Sequence, residues 1–85
     1  MGSNPFIRIK IYYDPDRNKP FIFYTSHFIK TPIQADPYRT SVNFGSTEEE
    51  ALRRAINTFT DFYRDAISAG YSPNDDWLVT NSSFI

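Results

Sequence analysis

Basic and aromatic side chains alternate near the start of this chain, at Phe6, Arg8, Lys10 and Tyr12. Rings beside cations can stack nucleobases while neutralising phosphates. The same mixture also makes contacts with other proteins. Arg39 and Asn43, polar positions of a later aromatic run, are expected to join them. These six residues are the partner-binding candidates. A protein partner or a second copy is the preferred occupant, and nucleic acid is the alternative. Charge sets that order. The chain carries a net charge of −1, whereas a nucleic-acid binder presents a strong basic stripe. The charge is uneven, with six basic against three acidic residues in positions 1–45, and three against seven in positions 46–85. A mildly basic half suits an acidic partner, and it is also what an ordinary solvated surface looks like.

Other residues offer less chemistry. His27 is the single histidine, and a catalytic imidazole needs a nucleophile and an orienting carboxylate in space. Ser26 precedes it, so in a continuous strand the two side chains point to opposite faces. His27 therefore reads as structural. Asn74, Asp75 and Asp76 are too few and too close for a metal loop. Glu48, Glu49 and Glu50 are explained by a helix start, and Asp61 and Asp65 by its wet face. Glycine occurs only at positions 2, 45 and 70, which leaves no phosphate-cradling loop. With no cysteine, thiolate chemistry and disulfides are excluded. No catalytic, cofactor-binding or metal-binding residue is assigned, and the chain reads as a non-enzyme.

The elements that would position the candidates follow from periodicity. Residues 6–13 alternate: Ile7, Ile9, Ile11 and Tyr13 point one way, and Phe6, Arg8, Lys10 and Tyr12 the other. Residues 14–20 are turn chemistry, with two prolines and an Asp-Pro-Asp start. Residues 21–29 are a second strand, apolar on both faces at its start, which leaves open which face meets a helix. Residues 30–37 contain Pro32 and Pro37 and read as a loop. Residues 38–44 are a third strand, with Tyr38, Thr40, Val42 and Phe44 toward the core and Arg39, Ser41 and Asn43 toward solvent.

A long helix comes next. Thr47 is its expected N-cap, with Glu50 closing a capping box. Acidic residues in the first turn complement the helix dipole. One apolar stripe runs through Ala51, Leu52, Ala55, Ile56, Phe59, Phe62, Tyr63, Ala66 and Ile67. Glu49–Arg53 and Glu50–Arg54 are spaced as i,i+4 pairs. Gly70 is the C′ residue, Tyr71 its apolar follower and Pro73 a stop. Residues 74–80 form a short edge strand or fold back on the core, anchored by Trp77.

The run Gly45-Ser46-Thr47-Glu48-Glu49-Glu50-Ala51, followed by Ala55, Ile56 and Phe59 and then by Gly70-Tyr71-Ser72-Pro73, resembles the HicB-like antitoxin family. Those proteins open a long helix with Gly-x-Thr-x-Glu-Glu-Ala after a three-stranded sheet. Residues 30–37 are longer than the Pro-containing turn that family places between its second and third strands, and operator binding is not carried over. The resemblance implies a non-catalytic domain that binds a protein, in that family a small RNA-cleaving toxin. The strand-strand-strand-helix order also looks like the arm-type DNA-binding domains of tyrosine integrases.

The 85 residues are expected to make one α+β domain, a three-stranded antiparallel sheet on one long C-terminal helix with a short extra strand in the tail. Fifteen aromatic residues supply the apolar area such a small core needs. The expected role is a protein-interaction or regulatory module, antitoxin- or inhibitor-like, that self-associates through the sheet face the helix leaves open. That face can instead be covered by the tail around Trp77 and Phe84. No run approaches the ~18 apolar residues of a membrane span. Residues 1–5 have no signal-peptide pattern. A cytoplasmic location and no membrane partner are expected.

Overall fold

The alternation at the start of the chain becomes β1 (Ile9–Tyr13), and the proline turn returns it into β2 (Phe21–Thr25). The structure, a computed structural model, describes residues 6–84. Within the turn the Asp14 carboxylate accepts the Asp16 N–H at 3.1 Å, and the Asp14 N–H donates to the Pro20 carbonyl at 2.7 Å. The strands pair antiparallel from Ile9 opposite Thr25 to Tyr13 opposite Phe21. Ile9, Ile11, Phe21 and Phe23 therefore share a face, and they pack against Ala51 and Ala55 of the helix. That answers which face of the second strand the helix covers.

The run 21–29 is not one strand. It breaks at Ser26, and residues beyond it form β3 (His27–Ile29). Three side chains hold the break. The Thr25 hydroxyl donates to the His27 carbonyl at 2.8 Å. Ser26 Oγ accepts the Arg8 N–H at 2.7 Å. Asn81 donates its side-chain amide to the Thr25 carbonyl at 2.8 Å and its N–H to the Ser26 carbonyl at 2.8 Å. Past this kink β3 leaves β1 and pairs antiparallel with β5 (Leu78–Thr80).

The third strand expected over 38–44 shrinks to β4 (Phe44–Gly45), which pairs antiparallel with β2. Local hydrogen bonds explain the loss. Thr40 Oγ1 accepts the Val42 N–H at 3.0 Å, folding the chain into a small side-chain turn. The Phe23 N–H still donates to the Asn43 carbonyl at 2.9 Å, but the Phe23 carbonyl takes the Asn43 side-chain amide at 3.1 Å, and the pairing ends there. Tyr38 and Val42, expected in the core, are exposed. The molecule is α+β with antiparallel pairing and one long helix. Its β-structure is split into a three-stranded sheet, ordered β1-β2-β4, and a two-stranded β3-β5 ribbon.

The helix, α1 (Glu48–Ser68), has 21 residues and spans about 32 Å. Thr47 is its N-cap, and Thr47 Oγ1 accepts the Glu50 N–H at 3.0 Å. Glu50 completes the box one residue early, accepting the Ser46 N–H at 2.6 Å. Gly45 lies directly beneath. A Cβ there would stand 2.8 Å from the Ala51 nitrogen, so only glycine lets the helix start this close to β4. At the other end Gly70, with φ of +97°, takes the left-handed conformation. The Gly70 N–H donates to Ile67 at 3.0 Å and the Tyr71 N–H to Ala66 at 3.1 Å, the two bonds of a Schellman stop. The helix is not the last element, because a short 3-10 turn (Asp75–Trp77) and β5 follow it.

Candidate protein-interaction surfaces

The helix does not bury its apolar stripe evenly. Ala51, Ala55, Phe59 and Ala66 meet the sheet, while Leu52, Ile56, Tyr63 and Ile67 stay 40–45% exposed. The expected single buried stripe is thus two ridges. Small alanines bring the helix close to the β-layer, and the larger side chains, each about 100° further round the helix, are displaced to one flank. Around the opposite flank, Arg54, Thr58 and Phe62 border a cleft against Tyr38 and Thr40. The ring of Tyr38 stacks on Phe62 with centroids 5.1 Å apart. The apolar flank consequently lies on the β1 side.

At its C-terminal end this flank borders a groove of about 580 Å³. Ile7, Phe59, Tyr63, Trp77 and Leu78 supply apolar walls, with Pro73 and Asp75 at the rim. Each wall has a local cause. Gly70 reverses the chain after α1. Asn74 then caps the 3-10 turn, its side-chain oxygen accepting the Asp76 N–H at 2.8 Å. That turn presents Trp77, whose carbonyl is tied down by the Lys30 N–H at 2.7 Å. Trp77 is buried, with its ring set edge-on to Tyr63 at 6.0 Å. An apolar concavity of this size fits a few apolar side chains of a ligand or partner.

The six sequence candidates fall in separate places. Lys10 and Tyr12 lie on the sheet face away from the helix, beside Tyr24, in a small cleft that Ser83 and Phe84 help to line. Tyr12 and Tyr24 meet edge to face at 5.6 Å. The tail roofs part of this face, since the Lys10 ammonium sits 4.6 Å from the centre of the Phe84 ring. Arg39 and Asn43 line a different cleft, with Phe28 and Asn81. Arg39 lies over Phe28 at 5.0 Å. Phe6 and Arg8 are exposed and line neither cleft. Sequence reasoning passed over Leu52, Ile56, Tyr63 and Ile67 as core. The signal was present, because alanine precedes three of the four large residues along the helix.

Ser26 and His27 do meet, contrary to the strand argument. Ser26 Oγ lies 2.8 Å from His27 Nδ1, because the kink at Ser26 breaks the alternation of faces. The serine is buried and its oxygen already accepts the Arg8 N–H, so the pair locks the kink. Among the described residues no three His, Asp or Glu side chains gather as a metal-binding group, and no helix is long and apolar enough to cross a membrane. The Glu50 carboxyl is held below its ordinary value, chiefly by the Ser46 N–H, with Arg54 adding to it.

No protein-family model, curated protein or solved structure matches this chain.

Proposed function

We propose that this chain is a non-enzymatic protein-interaction module of regulatory type, and that the groove beside Trp77 receives apolar side chains of a protein partner. One observation carries the reading: a run of large apolar side chains, Leu52, Ile56, Tyr63 and Ile67, left exposed along one helix flank and ending in an apolar concavity. Large apolar side chains grouped along one flank are characteristic of contact surfaces, whereas single scattered apolar residues are not. An antitoxin- or inhibitor-like role is in keeping with the resemblance of the helix opening to HicB-like antitoxins. Two of the three cations at the basic–aromatic positions are engaged within the chain, Lys10 on Phe84 and Arg39 on Phe28. This favours a protein partner over nucleic acid.

Affinity capture from source-cell lysate tests the reading with three baits. The unaltered chain and Arg8→Ala/Lys10→Ala retain the same protein. Ile7→Glu/Tyr63→Glu, both at exposed positions, loses it by about tenfold or more. A nucleic acid retained at low salt, and released by salt and by the Arg8→Ala/Lys10→Ala change, overturns the reading.

A further inference from the structure

β1 is the edge strand of the three-stranded sheet. Its pairing decides which backbone groups remain free. The Ser26 N–H donates to the Arg8 carbonyl at 2.9 Å, and the Asp14 N–H to the Pro20 carbonyl at 2.7 Å. Antiparallel ladders alternate, so Arg8, Lys10, Tyr12 and Asp14 turn their backbone groups toward β2. Ile9, Ile11 and Tyr13 turn theirs outward, where no described strand pairs with them. The side chains of these same residues lie on the helix side, and Ile9 and Ile11 pack there. Leu52 and Ile56 are exposed on the helix flank opposite the Tyr38–Phe62 cleft.

We infer that the β1 edge pairs antiparallel with β1 of a second copy, about a twofold axis through Ile11. Charge and length select that register. Centred on Ile11, all five residues of β1 find a partner: Ile11 faces Ile11, and Ile9 faces Tyr13 of the other copy. In the intervening close pairs Arg8 meets Asp14 and Lys10 meets the Tyr12 ring, each twice by symmetry. Centring on Ile9 sets Arg8 against Lys10, and centring on Lys10 sets Lys10 against itself. Centring on Tyr12 runs Ile9 out against Pro15 in the turn. A one-residue slip would place apolar side chains on the polar face. The Ile11 register joins two sheets into one six-stranded layer and turns the Leu52–Ile56 flanks of the two helices toward each other.

This goes beyond the groove, since it names a second surface with a different occupant. Sedimentation of the full chain from micromolar to millimolar concentration shows mass rising from monomer to dimer. Arg8→Glu and Asp14→Lys each weaken the dimer about tenfold, and the double reversal restores it. The chain lacks cysteine, so introduced thiols report the register cleanly. Lys10→Cys chains mixed with Tyr12→Cys chains form the mixed disulfide in a glutathione buffer, in preference to either like pair. A monomer throughout overturns the inference, and so does preference for a like pair. Neither outcome touches the groove, whose partner is read by capture.

Discussion

Two faces of this molecule expose aromatic and apolar groups, and they are built on opposite plans. On the open sheet side three cations find rings within the chain: Lys10 on Phe84, Arg17 on Phe44 at 5.3 Å, and Arg39 on Phe28. The tail helps cover that side. On the helix flank only Tyr63 meets another ring, the edge of Trp77. Leu52, Ile56 and Ile67 stand 40–44% exposed. Composition therefore misleads as a guide to contact. On the mixed, sticky-looking face three cations are taken up by rings although Tyr12 and Tyr24 stay exposed, while the plainly apolar flank looks like core in sequence and is left half-exposed.

The largest test of that contrast is Trp77→Ala. Loss of this buried anchor is expected to cost about 3–5 kcal/mol and to erase the groove, read by chemical denaturation followed by circular dichroism. Phe84→Ala should cost only about 1 kcal/mol, because it removes one half-buried cation–π contact and some cover. If the two changes cost the same, the sheet face depends on its roof as heavily as the groove depends on its wall, and the contrast fails. Leu52→Gln and Ile56→Gln sharpen it further. On a free flank each shifts monomer stability by no more than about 0.5 kcal/mol, while a dimer through β1 loses affinity in the same variants. A cost of several kcal/mol at dilute concentration would mean that these side chains are core after all.

The smallest effect is a pH dependence at the helix start. Folding depresses the Glu50 carboxyl below its ordinary value through the Ser46 N–H. Its contribution is therefore complete above the unfolded-state value and is lost as pH falls through the folded one. Glu50→Gln should flatten stability against pH in that acidic window and leave neutral pH little changed. An unchanged acid limb would show that the Ser46 bond carries no weight in solution.

Much of the helix was legible in the chain. Thr47, Glu50, Gly70 and the first-turn acids specify its ends through bonds to residues within a turn or so, and these form wherever the helix forms. The β1–β2 hairpin was legible for the same reason, since its turn chemistry and alternation are local. The 38–44 run looked equally strand-like. Thr40 nevertheless offered the Val42 N–H a nearer partner than a ladder, and the Asn43 amide ended the pairing at Phe23; side-chain competition of this kind leaves no trace in an apolar pattern. The candidate site was half legible. Trp77 was marked as an anchor, but the exposed ridge was hidden inside a stripe that periodicity alone assigns to the core.

The amino-acid sequence by itself determined the elements whose hydrogen bonds are short-range: the capped helix, the first hairpin and the proline turns. Only the tertiary structure decided which side of the helix is covered. Helical periodicity marks an apolar arc, and steric closeness chooses within it. With alanines at 51, 55 and 66 and glycine at 45, the helix sits low on the sheet. That closeness leaves the bulky half of the arc half-exposed on the flank opposite Tyr38.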